Sequence, residues 1–191
     1  MILNLIKRRF SPKKFRDTQI EKVDIVDILE AGRLSPSIDN KQPWKFAVIT
    51  NTELIRKIAF LSYKQEWIIS APLLIILCIE PDPDDMEGTL LQKLRFPEFK
   101  ADFYKIERKI FNALNLEEHQ TKIAGENMCL VAMEKGIYST WISKFYVTKV
   151  QELLDLPEAI IPSEIIAFGY PAENENREKI KSFNEVVNWW F

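Results

Sequence analysis

Apolar and polar positions along this chain switch between helical and strand periods in a definite order. Residues 4–9 carry a short helical pattern, and Pro12 prevents it from continuing. Residues 20–34 predict a longer amphipathic helix, with Ile20, Val23, Ile25, Val26, Ile28 and Leu29 as its buried side. A strand over 46–50 and a helix over 53–61 follow, and Trp67 to Ala71 leads into the wholly apolar run 73–79. That run predicts a buried strand, closed by Pro81-Asp82-Pro83-Asp84-Asp85, a proline-broken turn that cannot extend it. Residues 89–116 are charged and aromatic and predict helix between breaks at Pro97 and Asn115. A long helix over 118–135 carries Ile123, Met128, Leu130, Val131 and Met133, and Gly136 terminates it. A strand over 138–142, a helix over 148–154 and a strand over 164–170 complete the order. With no internal repeat and no low-complexity linker, residues 1–191 read as one α+β domain.

Composition narrows the function classes. Hydrophobic residues make up 47% and charged residues 28%, as in an ordinary soluble protein. Lys and Arg number 26 against 28 Asp and Glu, for a net charge of −2, which argues against a general nucleic-acid binder. The run 73–79 falls far short of the ~20 residues that span a bilayer, so no membrane partner is expected. Residues 1–6 are too short an apolar run for a signal peptide, and basic residues follow rather than precede them. A cytoplasmic location is therefore expected. Cys78 and Cys129 sit in apolar segments and read as buried free thiols. With His119 as the lone histidine, no metal site is expected.

Two polar segments carry candidate chemistry. The first is Pro36-Ser37-Ile38-Asp39-Asn40-Lys41-Gln42-Pro43-Trp44, between a predicted helix and a predicted strand. Its prolines stiffen the backbone, so Ser37, Asn40 and Gln42 can stand as fixed hydrogen-bonding groups for a heteroatom-rich ligand such as a flavin or nucleotide. Polarity alone equally describes an ordinary connecting loop. The second is Lys7-Arg8-Arg9-Phe10-Ser11-Pro12-Lys13-Lys14-Phe15, with five basic residues in nine positions. A solvated basic face, a nucleic-acid patch and a local phosphate site all answer to that composition. The acidic balance of the whole chain favours the phosphate site, where Arg chelates and Ser adds a donor.

Arg9-Phe10-Ser11-Pro12-Lys13-Lys14-Phe15, Leu29 to Ser37, Asn40 and Gln42-Pro43-Trp44-Lys45-Phe46 resemble the nitroreductase family of FMN-dependent flavoproteins. Ser70-Ala71-Pro72 with the strand after it, Asn127 to Ala132, Gly136 to Trp141 and Ile165 to Ala172 resemble later family segments in the family's order. The likeness runs over about residues 6–187. It implies a three-layer sandwich with a mostly antiparallel central sheet flanked by helices, assembled as an intertwined homodimer. Residues 85–117 then correspond to a helical, lid-like insertion.

The resemblance also implies a site. Arg9, Phe10 (through its backbone), Ser11 and Lys13 would hold the FMN phosphate and ribityl chain. Lys13 stands where the family more often has Arg, which keeps the charge and loses the bidentate fork. Pro36, Ser37 and Asn40 would approach the same flavin from the partner subunit, and Gln42 joins them by spacing. The turn Ile142-Ser143-Lys144 would lie along the ring and offer backbone N–H to it; the family commonly has small residues there. Ile180 occupies the place of a phosphate-binding Arg, leaving Lys179 or Lys181 to substitute. No side-chain catalytic residue is expected, because the cofactor carries the chemistry. Five glycines without a Gly-rich loop give no Rossmann site, so NADH or NADPH would bind transiently over the flavin.

Trp44, Trp67, Phe96, Phe99, Phe103, Tyr104 and Phe111 are candidates to border an apolar cleft, and core packing is the competing reading for each. The terminal Trp189-Trp190-Phe191 is expected to dock on the partner. The implied reaction passes hydride from NAD(P)H through FMN to a nitroaromatic, quinone or similar acceptor. A flavin-binding or redox-sensing protein without turnover, and an FMN enzyme of other chemistry such as reductive dehalogenation, share the same sequence features.

Overall fold

The computed structural model describes residues 1–80, 117–172 and 180–190. The elements are α1 (Ile2–Arg8), α2 (Lys22–Arg33), β1 (Trp44–Ile49), α3 (Thr52–Leu61), β2 (Leu73–Ile79), α4 (Glu118–Glu134), β3 (Tyr138–Ile142), α5 (Val147–Leu153), β4 (Ile161–Gly169) and α6 (Phe183–Val186). Two 3-10 turns, Ile38–Asn40 and Glu66–Ser70, join them. The insertion expected over 85–117, with Phe96, Phe99, Phe103, Tyr104 and Phe111, lies outside the described residues apart from Glu117.

Strand β2 organises the sheet. Every one of its side chains is buried, because successive residues face opposite sides and both sides are covered. Leu74, Ile76 and Cys78 enter one apolar cluster, with Ile55, Ile58 and Ala59 of α3 and Val150 of α5. Leu73, Ile75 and Leu77 enter the other, with Ile28 of α2 and Met128, Cys129 and Ala132 of α4. Helices therefore flank the sheet on both faces, the three-layer sandwich that the family resemblance implies.

The sheet runs in the order β1-β2-β4-β3, and each pairing is antiparallel. Strand β4 begins at Ile161, three residues earlier than the apolar pattern predicts. Pro162 conceals that start, since proline removes a ladder donor; the register shift between Leu77 and Cys78 lets Pro162 stand opposite Cys78. On α2, Val23 and Val26 are 65% and 53% exposed, contrary to the predicted buried side, while Ile28 is buried. Ile123 on α4 is likewise 46% exposed.

Gly136 takes a left-handed conformation (φ +74°) after α4, as a helix-ending glycine does. Close packing explains Gly125 instead. A β-carbon there would lie 2.6 Å from both Leu77 Cδ1 and Trp141 Cη2, so its absence lets α4 settle onto the sheet. Cys78 and Cys129 are buried free thiols on opposite faces of the sheet, and burial pushes each up to about 12. Among the described residues, no helix is long and apolar enough to cross a membrane.

Gly125→Val should overpack the α4–sheet contact and lower the unfolding free energy by about 1–3 kcal/mol. Urea denaturation checks this, with the midpoint falling at unchanged slope.

Candidate functional site

The basic turn after α1 is pinned against the β3 and β4 edge of the sheet. Pro12 breaks the helix, and its carbonyl accepts a 2.6 Å hydrogen bond from the buried Thr140 hydroxyl. Phe10 packs on Tyr138 with ring centroids 4.6 Å apart. The Phe15 N–H donates to Ser70 Oγ at 3.1 Å, and Phe15 bridges to Pro171. Arg16 ties the same turn to β4's end through Tyr170 O and Pro171 O. Gly169 permits the crossing, since a β-carbon there would meet the Phe15 ring at 2.6 Å and Pro72 Cδ at 2.8 Å.

This scaffold leaves the predicted phosphate groups outward. Arg9, Ser11 and Lys13 are exposed, with Arg9 Nη1 donating to Ser11 Oγ at 3.2 Å. Lys13 has no ion-pair partner among the described residues. Glu126 on α4 lies within Arg9's electrostatic reach. Desolvation raises its carboxyl above the usual range, and Arg9 partly offsets that rise. The donor set, a guanidinium, an ammonium and a hydroxyl on one exposed turn, suits a phosphate.

The other end of β3 carries the predicted ring contacts. Ile142 is buried, whereas Ser143 and Lys144 are exposed. Their N–H groups donate to no turn or loop carbonyl among the described residues. Lys144 is drawn aside: its ammonium stands 4.8 Å over the Tyr63 ring, and its carbonyl accepts from Gln65 Nε2 at 3.3 Å. The turn thereby leans on the segment after α3, where Tyr63 and Lys64 both have positive φ (56° and 58°). A side chain disfavours that backbone by roughly 1–2 kcal/mol per residue.

The polar segment between α2 and β1 is the most strained stretch described. Asp39, Asn40 and Gln42 all have positive φ, at 48°, 57° and 51°. Ser37 Oγ accepts the Gln42 N–H at 2.9 Å, and Gln42 Nε2 donates to Asn40 Oδ1 at 3.1 Å. From α4, Gln120 Oε1 accepts the Ile38 N–H at 2.7 Å, and Asn127 Nδ2 donates to Ser35 Oγ at 2.7 Å. Pro36, Asn40 and Gln42 face solvent. Strain held by several bonds and left exposed is a feature of functional segments.

The predicted site residues thus fall into two groups on opposite edges of the sheet. Arg9, Phe10, Ser11 and Lys13 belong with Ile142, Ser143 and Lys144 along β3; Pro36, Ser37, Asn40 and Gln42 precede β1. No hydrogen bond, ion pair or ring contact among the described residues joins one group to the other, or Lys181 to either. Lys179 lies outside the described residues. Of the cleft candidates, Trp44 is buried and stacked on Phe46 at 6.5 Å, so it is a core residue. Trp67 donates its indole N–H to Gln65 Oε1 at 3.3 Å.

The Nitroreductase family model matches residues 6–170. The chain belongs to the nitroreductase family. An oxygen-insensitive NADPH nitroreductase of Helicobacter pylori strain J99 is 31% identical over 201 residues, covering 97% of this chain and 94% of that protein. A Helicobacter acinonychis protein of the same name is 30% identical, with 97% and 94% covered. The crystal structure of a nitroreductase family protein from Streptococcus pneumoniae TIGR4 superposes with a TM-score of 0.79 at 23% identity, over 99% of this chain and 100% of that one. An FMN-dependent nitroreductase from Clostridium difficile R20291 gives 0.73 at 21% identity, over 98% of each chain. These likenesses confirm the α+β nitroreductase fold.

Several supports of the site were not evident from the sequence. Thr140, Gln65, Gln120 and Asn127 each make a hydrogen bond to a segment distant in sequence. Only Asn127, a polar residue within an apolar helical stretch, carried any local signal.

Thr140→Val keeps the shape and strands the buried Pro12 carbonyl. It should lower the unfolding free energy by about 1–3 kcal/mol and speed amide exchange in residues 10–16, read by hydrogen-exchange mass spectrometry.

Proposed function

We propose that this chain is an FMN-dependent oxidoreductase that couples oxidation of NADH or NADPH to reduction of a nitroaromatic, quinone or similar electron-poor acceptor. The observation that carries the reading is the layout of β3. Its first half, Tyr138 to Thr140, anchors an exposed turn of anion-binding composition, and its end presents N–H groups that no loop carbonyl uses. Two to four residue steps of about 3.3 Å separate these anchors from the strand's end, roughly 7–13 Å, a span suited to a phosphate and a flavin ring joined by a ribityl chain.

FMN, when bound, supplies the two-electron chemistry. Arg9, Ser11 and Lys13 would hold its phosphate, with the Phe10 ring fixing the turn on Tyr138. The turn Ile142-Ser143-Lys144 would aim backbone donors at the ring edge, where they favour added negative charge. Lys181 is the candidate for the missing C-terminal cation.

The second group completes the site only from another subunit. Pro36, Ser37, Asn40 and Gln42 of a second copy would close over the flavin held by the first. Exposed apolar surface supports this homodimer: Ile2, Leu3 and Ile6 of α1 are 65%, 56% and 48% exposed, and Trp189 and Trp190 are 66% and 92% exposed. A groove of about 540 Å³ between α2 and β1, an edge strand among the described residues, is lined by Val26, Leu29, Phe46 and Val48 among others and is the proposed seat for the partner's aromatic tail.

The purified protein should show a flavin absorption spectrum that NADH or NADPH bleaches without oxygen. Arg9→Ala with Lys13→Ala should weaken FMN binding at least tenfold, as followed by flavin fluorescence. A colourless protein that takes up no added FMN would sink the assignment.

Mixing the Arg9→Glu and Asn40→Ala chains tests the shared site. Mixed dimers regain one intact site, so FMN occupancy should rise above that of either variant alone. A site contained within one chain would show no such recovery.

A further inference from the structure

The segment after α3 and the turn after β3 meet in a cluster whose side chains the flavin reading leaves without a role. Tyr63 and Tyr146 stack with ring centroids 4.5 Å apart and planes 23° from parallel. They are 47% and 48% exposed, so core packing does not account for the pair. One ammonium group lies on the pair itself, Lys144 at 4.8 Å over the Tyr63 ring, and a second, that of Lys64 next to Tyr63 in the chain, lies 5.7 Å over the exposed Phe60 ring. Neither has a carboxylate partner among the described residues.

The arrangement is built rather than loose. Gln65 donates to Ser62 O at 3.0 Å and to Lys144 O at 3.3 Å, joining the two segments. The Tyr146 N–H donates to Leu61 O at 3.0 Å, and Lys64 N–H to Phe60 O at 3.2 Å. These bonds hold Tyr63 and Lys64 in left-handed backbone, which turns their side chains out together.

A half-exposed aromatic pair beside ammonium groups without carboxylate partners suits a ligand that joins a planar heterocycle to a multiply charged anion. A nicotinamide dinucleotide carries that combination, an adenine ring on a diphosphate. The chain has only five glycines and no Gly-rich loop to cradle a diphosphate on backbone N–H, so side-chain cations must neutralise it. We propose that Tyr63, Tyr146, Lys64 and Lys144 form the platform that docks the adenosine diphosphate half of the nicotinamide donor. This rests on the flavin reading above, since Lys144 belongs to the turn assigned to the ring.

Two measurements test it. The first is calorimetric titration of the purified protein with ADP-ribose, which needs no turnover. Binding should weaken about fivefold in Lys64→Met and at least tenfold in Tyr63→Gly combined with Lys64→Met. Glycine at position 63 accepts the left-handed backbone, so the ring is removed without refolding the turn. Tyr146→Leu, distant from that strain, should weaken binding in the same direction.

The second is anaerobic stopped-flow reduction of the FMN-loaded protein by NADH, by reduced nicotinamide mononucleotide, and by neutral 1-benzyl-1,4-dihydronicotinamide. NADH should react about tenfold faster than the mononucleotide at low concentration. That advantage, with its salt sensitivity, should largely vanish in the double variant. Undetectable ADP-ribose binding would overturn the platform even in an active flavoenzyme. Equal rates with NADH and the mononucleotide, or equal slowing of NADH and the benzyl donor in the variants, would overturn it too. Retained ADP-ribose binding in a protein that takes up no FMN would leave the platform standing and remove the flavin.

Discussion

Two-sided burial of β2 is the constraint from which the rest of this structure follows. A strand with no polar side chain must be covered above and below, so helices are required on both faces of the sheet. Once both faces are filled, ligand chemistry is left to the strand ends and the edges. The two polar segments lie there, one clamped along β3 and the other leading into β1. The edges are also where a second copy can be met. The separation of the two residue groups and the exposed apolar surface are therefore two expressions of one packing solution.

Much of the architecture was legible because strong patterns have simple physical causes. The run 73–79 and the strand at 138–142 were bounded by Pro72 and Pro81, and by Gly136, and both agree with the observed limits. Errors arose where one residue served two constraints. The apolar pattern starts β4 too late, because Pro162 interrupts it yet stands at a register shift that tolerates a proline. Val23 and Val26 fit the periodicity of α2 but face outward, since periodicity cannot distinguish a side covered by this chain from one left open.

The candidate site was legible as composition but not as geometry. The basic stretch could be read as a candidate phosphate site from its charge, and the family resemblance singled out Arg9, Ser11 and Lys13 within it. That Thr140 and Tyr138 anchor their turn could not, because those contacts span more than 120 residues of sequence. Left-handed backbone at Asp39, Asn40 and Gln42 was equally hidden. Asn and Asp accept such angles readily, but Gln42 carries no local signal for them. The cluster of Tyr63, Lys144 and Tyr146 lay across two segments with no shared motif, and so appeared only in the fold.

The two cysteines bear on how such a protein would manage reducing equivalents. The sheet lies between their sulfur atoms, and each thiol stays protonated well above neutral pH. A nucleophilic thiolate is therefore nearly absent on either side, and an intramolecular disulfide would require the sheet to come apart. Under the proposed flavin site, electrons handled at the rim of this fold would find no thiol relay into its interior. Mild oxidants meet a protein whose two thiols are kept out of circulation by packing alone.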